Sequence, residues 1–416
     1  MELFPHLKEN HYIELINKFK KKPEKFSDFN SIFFQNKCYF FEEIEKNYTK
    51  EGVDFLNVYE HLQNLVLNIK EIFKEEIKIL ETGEKEAKVE LTRKEAALIF
   101  LLSFFKCLIE TSNTRFRVYN ILISRSKTKF QFGRCFLNYL TIIGKLLKEK
   151  SSILDEKITY IRINIDENSV PFSEEEVNLC EIELKEEGSL FDGESQYCVD
   201  FANKFIGGGT LTGGCVQEEI LFAVEPEAIV SMNFMEVMDK NDAIGIFNTI
   251  EYSRYKGYGS SFKFEKSSIT NDLTKIKRHR IIAIDATVSR GFFFNNPQKD
   301  IMRDIHKAYV GFNLINLESQ KDVEKTISTG NWGCGVFGGN HELKFLQQWI
   351  AASFAGVKKL FYFTFNNEKM KNSVKYYKDI KAKFQKANLL YEEIVFKKLD
   401  ENKIIINLIK DNENKK

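Results

Sequence analysis

A chain of 416 residues, 43% of them hydrophobic, is long enough for two ordinary domains or one large composite one and can bury a real core. Lys and Arg number 61 against 60 Asp and Glu, so no strong overall field attracts a polyanion, and such a partner would have to be held by local geometry. Cys38, Cys107, Cys135, Cys180, Cys198, Cys215 and Cys334 form no CxxC pair, and the six histidines complete no zinc spacing, which points to reduced thiols, an intracellular compartment and no metal.

The start, Met1-Glu2-Leu3-Phe4-Pro5-His6, lacks the basic-then-apolar pattern of a signal peptide. The first ~150 residues then read as helical by periodicity. Phe55, Val58, Leu62, Leu65, Val66, Ile69, Ile72 and Phe73 keep three- and four-residue spacing and predict one amphipathic helix. A second begins at Thr92 with Glu95 three residues on, a capping box. The most apolar run, Ala96 to Ile109, is shorter than a membrane span and contains Lys106, so a buried helix is expected and a membrane partner is not. A third helix is predicted over Phe136–Leu147. The 38 phenylalanines are an excess that coding bias explains as well as function does.

Beyond Lys150–Lys157 the pattern changes. Strands are predicted at Ile158–Ile165, with Ile161, Ile163 and Ile165 inward, and at Leu179–Leu184, Tyr197–Phe201, Ala243–Phe247, Ile281–Ile284 and Leu360–Phe365. A helix starts at Asn340 and stops at Gly356. Strands alternating with helices imply an α/β fold. The expected organisation is a helical accessory domain over 1–150, an α/β domain over 151–410 and a polar tail over 411–416.

Five glycines lie between Gly207 and Gly214, and Gln217, Glu218 and Glu219 follow at once. A helix starting near Val216 would aim its N–H groups back at Gly207, Gly208 and Gly209, the usual way to hold a phosphate; the alternative is a tight turn needing positive φ. No Lys-Ser or Lys-Thr follows, so this is not a Walker A loop. A literal GxGxxG occurs at Gly333-Cys334-Gly335-Val336-Phe337-Gly338, before the Asn340 helix, and also resembles an anion cradle. Glu218 and Glu219 diverge by about 100° on a helix, so they do not act on one bond from two sides; one faces a substrate and the other positions it, or both merely suit the helix dipole. Tyr252, Tyr255 and Tyr258, spaced by three among glycines, have no helical core to fill and could stack on a base. Phe363 reads as core, while Phe365 stands where open α/β sheets bind ligands. The run Lys275, Lys277, Arg278, His279 and Arg280 reads as a solvated edge leading into a strand. Cys215 and Cys334 lie in the two loops without a nearby histidine for thiol catalysis.

Gly207-Gly208-Gly209, seven residues, then Gln217-Glu218-Glu219 resembles the signature of the poly(ADP-ribose) glycohydrolases. The likeness extends to Val199-Asp200-Phe201-Ala202-Asn203, to Tyr255-Lys256-Gly257-Tyr258, to Gly330-Asn331-Trp332 through Gly339, and to Tyr362-Phe363-Thr364-Phe365, in the same order. The resemblance implies a macrodomain-like mixed sheet flanked by helices, with an N-terminal helical accessory domain. It implies hydrolysis of ribose–ribose O-glycosidic bonds in poly(ADP-ribose), releasing ADP-ribose and acting on poly(ADP-ribosyl)ated proteins, as part of ADP-ribosylation reversal and the DNA damage response. Glu219 would be the acid/base and Glu218 would hold ribose hydroxyls, with Asp200, Asn203 and Gln217 beside them. Gly207–Gly209 would seat the carboxylate, Asn331, Gly333, Gly335, Val336, Phe337 and Gly338 would wrap the diphosphate, Tyr258 would stack near the adenine, and Phe365 would press on the ribose–adenine portion. No cofactor, no direct DNA binding, a monomer and a nuclear or cytoplasmic location are expected.

A helix N-terminus lowers a carboxyl pKa whereas a general acid needs it raised, a balance that burial under bound polymer could restore. The segment Thr210-Leu211-Thr212-Gly213-Gly214-Cys215-Val216 is richer in glycine than the family pattern demands, and the chain lacks the long N-terminal extension of the large animal members. A macrodomain that binds ADP-ribose without cleaving it is the main alternative; a nucleotide-dependent oxidoreductase built on Gly333–Gly338 is a distant third.

Overall fold

Apolar residues alternate onto both faces of the central strands, so both faces must be covered. The computed structural model describes residues 9–47, 50–74, 76–108, 115–191, 194–269, 276–289, 297–317, 323–397 and 403–410; Met1–His6, Ile109, Lys275 and the tail 411–416 lie outside them. Among these residues the strands are β1 (Glu86–Thr92), β2 (Lys157–Asn164), β3 (Glu181–Lys185), β4 (Tyr197–Ala202), β5 (Asp242–Thr249), β6 (Ser253–Lys256), β7 (Lys263–Ser267), β8 (His279–Asp285), β9 (Thr326–Gly330) and β10 (Lys359–Phe363). Eight of them form a mixed sheet in the order β1-β2-β5-β8-β4-β9-β10-β3, and β6 and β7 form a separate hairpin. β8, β4, β9, β10 and β3 run parallel, while β1, β2, β5 and β8 pair antiparallel.

Tyr160, Ile244, Ile246, Ile281 and Ala283 face a core shared with the N-terminal helices. Ile161, Ile163, Ile282, Ile284 and Ile327 face the opposite core, against helices Pro297–Asn313, His341–Phe354 and Ala387–Phe396. The phenylalanines have a structural home in the N-terminal part. Phe29 stacks on Phe105 at 5.5 Å and meets Tyr59 edge-on at 4.7 Å, and Phe33 packs on Phe105 at 4.5 Å.

Several expectations change. The single helix over Phe55–Phe73 is three, Lys50–Leu56, Tyr59–Leu67 and Ile69–Ile72; Asn68 breaks the last junction, its amide folding back to the Asn64 carbonyl at 2.8 Å. The third helix is longer, Lys127–Glu149, and starts from Ser126 as N-cap. The capping box at Thr92 is present, and the helix it opens, Arg93–Phe104, is buried all round. The N-terminal part is not purely helical, because Ala87, Val89 and Leu91 alternate and make β1 an edge strand paired with β2. β9, Thr-Ile-Ser-Thr-Gly, carries almost no apolar signal. It is buried because its hydroxyls find partners, Ser328 donating to the Leu190 carbonyl at 2.5 Å and Thr329 to Gln348 at 2.5 Å. No helix of the described residues is long and apolar enough to cross a membrane.

The helical part joins the sheet through a buried ion pair. The Arg93 guanidinium donates to Glu227 at 2.6 Å, to Glu156 at 3.1 Å and to the Asn248 carbonyl at 2.6 Å. Glu227 also accepts from the Tyr252 hydroxyl at 2.5 Å and the Ile250 N–H at 3.1 Å. Removing one partner of a buried pair leaves the other charge uncompensated, so Arg93→Met should cost about 3–5 kcal/mol. Urea unfolding checks this, and adding Glu227→Gln should recover part of the loss.

Candidate active site

The parallel strands β4, β8, β9 and β10 all end on one edge of the sheet, and the site is built from the segments that follow them. After β4 the chain turns through Gly207 (φ +81°) and Gly208 (φ +47°) and wraps over the start of the helix Gln217–Val224. The Asn203 and Gly207 N–H groups donate to the two oxygens of Glu218 at 2.9 and 2.7 Å. The Gly209 and Val216 N–H groups donate to the two oxygens of Glu219 at 2.9 and 2.8 Å. The glycine loop therefore directs its N–H groups at the protein's own carboxylates, which corrects its reading as a phosphate cradle. The divergence of neighbouring helix residues is also modified by the first turn. Both carboxylates curl back to Gly208, where an added Cβ would stand 2.4 Å from Glu218 Oε2 and 2.7 Å from Glu219 Oε1.

Gln217 fixes this helix to the end of β4. Its Oε1 accepts from the Phe201 N–H at 2.8 Å and its Nε2 donates to the Val199 carbonyl at 3.2 Å. Beneath it Asp200 is wholly buried, and neither carboxyl oxygen has a hydrogen-bond partner among the described residues. Burial, then the nearby Glu219, pushes the Asp200 carboxyl well above its ordinary range. Burial, then Asp200, does the same to Glu218 against the two N–H bonds that favour its charged form. Both shifts act against adding further negative charge beside Glu219.

The loop after β9 is the one with N–H groups to offer. Gly333 and Gly338 have φ of +72°, and the loop closes through Cys334 N–H to Asn331 O, Gly338 N–H to Gly335 O and Gly339 N–H to Gly333 O, at 3.1, 3.0 and 2.9 Å. The N–H groups of Gly335, Val336 and Phe337 have no protein acceptor among the described residues. Trp332 anchors the loop, its indole N–H donating to the Ile284 carbonyl at 2.9 Å. Asn331 is held between the Thr364 carbonyl at 3.2 Å and the Tyr362 hydroxyl at 3.4 Å.

A cleft of about 170 Å³ lies between the two loops. Of the residues singled out from sequence, Asn203, Gln217, Glu218, Glu219, Tyr258, Asn331, Gly333, Gly335, Val336 and Phe337 line it. Gly207, Gly208 and Gly209 back the carboxylates, Asp200 lies below, and Gly338 faces a neighbouring cavity of about 930 Å³. Phe365, 46% exposed with φ +55°, lies beyond the end of β10 and outside the cleft, 6.1 Å from the ring of the buried Phe363. Of the three tyrosines only Tyr258 reaches the cleft, where it stands at the carboxylate end. Contrary to the sequence reading, Tyr252 fills the core, and Tyr255 lies on β6 against Phe262 at 5.3 Å. Phe201, Ala202, Val216, Ala286 and Trp332 also line the cleft and were not singled out. Ala286 has no local signal: its Cβ packs against Gly333, where an added Cβ would stand 2.6 Å from it.

The basic run is absorbed by structure, Arg278 pairing with Glu156 at 2.8 Å and His279 with Glu225 at 2.5 Å where β8 begins. Burial pushes the Cys215 thiol up to about 11 and Cys334 up to about 12, against a nucleophilic role for either.

Gly208→Ala should cost about 2–4 kcal/mol, because both the positive φ and the carboxylates oppose a side chain, whereas Gly213→Ala should stay within about 0.5 kcal/mol. A Cβ added at Gly213 would meet nothing within 4 Å among the described residues, so the two unfolding midpoints form a controlled pair. Asp200 titrates at a higher pH folded than unfolded, so its contribution to stability is full below the ordinary carboxylate range and is lost as pH rises through the folded value. Asp200→Asn does not titrate, and its stability relative to the parent should rise with pH by up to about 1.4 kcal/mol per unit over that window. Unfolding at pH 5 and pH 8 measures the difference.

Two family models match successive parts of the chain: "Poly (ADP-ribose) glycohydrolase (PARG), helical domain" at residues 47–162, and "Poly (ADP-ribose) glycohydrolase (PARG), Macro domain fold" at residues 170–372. The chain is 30% identical over 285 residues to the probable poly(ADP-ribose) glycohydrolase 2 of Arabidopsis thaliana, covering 58% of this chain and 54% of that one. It is 31% identical over 325 residues to poly(ADP-ribose) glycohydrolase 1 of the same plant, covering 61% and 57%. To poly(ADP-ribose) glycohydrolase 1 of Caenorhabditis elegans it is 36% identical over 192 residues, covering 43% and 24%. The chain therefore spans little more than half the length of the plant relatives and less of the nematode one. With a helical part followed by a macrodomain-fold sheet, each matched by its own model in that order, the chain belongs to the poly(ADP-ribose) glycohydrolase family.

Proposed function

We propose that this protein hydrolyses the ribose–ribose O-glycosidic bonds of poly(ADP-ribose) and releases ADP-ribose, with Glu219 as general acid and base. The observation that carries this is the fixed Glu219 carboxylate. Two backbone N–H groups hold its oxygens on one side, and the other side lines a cleft whose opposite wall offers the N–H groups of Gly335, Val336 and Phe337. A diphosphate on that wall sets its attached ribose against the carboxylates.

In this reading Glu219 gives its proton to the bridging oxygen as the anomeric C–O bond breaks, and the departing chain leaves as an alcohol. The ribose carries an oxocarbenium-like charge in the transition state. Glu219, now anionic, takes a proton from water as the water oxygen bonds to the anomeric carbon, which restores the acid. Glu218 holds ribose hydroxyls, Asn203 and Gln217 keep the helix and strand in register, and Asp200 keeps its proton in the buried layer below. Tyr258 covers the carboxylate end, and Phe365, across the ends of β9 and β10, takes the ribose–adenine portion. The helical part over 1–150 is accessory to a catalytic domain over 151–410. We place the protein with poly(ADP-ribosyl)ated proteins in the nucleus or cytoplasm, as a monomer without direct contact to DNA, since a net charge of +1 gives no general field for it.

Release of ADP-ribose from polymer by the parent and by Glu219→Gln tests the assignment. The variant should turn over about 10²–10⁴-fold more slowly while still retaining polymer on a filter. Nearly unchanged turnover would remove Glu219 from the mechanism. Retention without release by both proteins would make the chain a macrodomain that binds the polymer without cleaving it.

A further inference from the structure

The glycine loop that holds Glu219 is itself held from outside the sheet. Lys129 is the third residue of the helix Lys127–Glu149, in the N-terminal helical part, and is 2% exposed. Its ammonium donates to the carbonyls of Gly214 at 2.6 Å, Thr210 at 2.9 Å and Gly209 at 3.4 Å. An ammonium has three N–H donors, so all three go to this one loop. The nitrogen also stands 4.2 Å from the centre of the Phe132 ring. At the loop's other end a second cation from the helical part, Arg115, donates to the Ile206 carbonyl at 2.7 Å, immediately before Gly207.

A cation in this position is costly, and a neutral residue could fill the space. Burial lowers the Lys129 ammonium from its usual value to about 8, with Cys215 and Glu219 opposing the shift. What the cation supplies is a fixed position for carbonyls that a glycine-rich segment would otherwise leave mobile. Gly209 is the residue whose N–H holds Glu219 Oε1, and its carbonyl also accepts from the Gly214 N–H at 3.0 Å.

We infer that Lys129 is a positioning residue for the reaction. From the helical part it locks the Gly209–Gly214 loop, and through the Gly209 N–H it sets the orientation of the Glu219 carboxylate. The catalytic loop is therefore assembled from both parts of the chain, and the helical part is needed for turnover as well as for folding. The kinetic side of this inference rests on the glycohydrolase reading above; the structural side does not.

The test compares the full-length parent with Lys129→Met in polymer turnover, ADP-ribose affinity by calorimetry and hydrogen exchange at the Gly209 amide. The expected result is a kcat lower by about 10–100-fold, as for a misplaced catalytic group, with the ADP-ribose Kd within about threefold and faster exchange at Gly209. A folded variant with unchanged kcat and unchanged exchange overturns the inference. If the parent releases no ADP-ribose the glycohydrolase reading fails, and Gly209 exchange alone then decides for or against the lock. Should Lys129→Met not fold, Lys129→Gln takes its place, since its shorter amide keeps some hydrogen-bonding capacity but cannot bond all three carbonyls. A lower kcat with faster Gly209 exchange supports the inference, and a folded variant with both unchanged overturns it.

Discussion

Two adjacent carboxylates held by four backbone N–H groups, across a point where no Cβ fits, are the constraint on which the rest of the site depends. Glu218 and Glu219 begin a helix, where their charge suits the dipole, and the chain before them folds back so that Asn203, Gly207, Gly209 and Val216 supply the donors. Gly208 sits between the two side chains at φ +47°. An L-residue there meets both an unfavourable backbone region and carboxylate oxygens inside van der Waals contact. The bare backbone is thus a fitted cover for the acids, and the cleft opens on their other side.

Buried charge is treated in two ways. Away from the cleft it is paired at short range: Arg93 with Glu227 and Arg162 with Asp242, each at 2.6 Å, Lys307 with Asp285 at 2.7 Å, and Lys344 with Asp304. Under the cleft Asp200 has no cation and no hydrogen-bond donor among the described residues. A paired ion recovers much of its desolvation cost, whereas the isolated Asp200 carboxyl does not and is raised well above its ordinary range; Glu218 beside it is raised as well, against the two N–H bonds that favour its charge.

The two glycine-containing loops do different work although both precede helices. The first directs its N–H groups inward to Glu218 and Glu219, and the second leaves those of Gly335, Val336 and Phe337, residues that line the cleft, without a protein acceptor among the described residues. Trp332, Lys344 and Ala286 brace the second from beneath, the Lys344 ammonium lying 4.6 Å from the Trp332 ring centre. Lys129 and Arg115 brace the first from the side. Each loop is flexible in composition and fixed by side chains outside its glycines, the first from the N-terminal helical part and the second by its own Trp332 together with Lys344 and Ala286.

The α/β alternation, the capping box at Thr92, the N-cap at Asn340 and the cluster from Gly207 to Glu219 are local patterns, and a pattern within a dozen residues survives in the sequence. β9 was not legible, since its side chains are polar and its burial depends on hydroxyl partners contributed by other segments. The break at Asn68 was hidden by apolar spacing that runs across it. Tyr252 and Tyr258 share a three-residue spacing but part company because the hairpin of β6 and β7 turns one into the core and the other to the cleft. By itself the sequence determined which residues could serve as acid, glycine cover and anion loop, because those roles require particular residue types at short spacing. Only the tertiary structure decided where the N–H groups point, that Asp200 is buried without a partner, and that Lys129 reaches the Glu219 loop from more than seventy residues away; those facts depend on strand order and helix packing, which no local window contains.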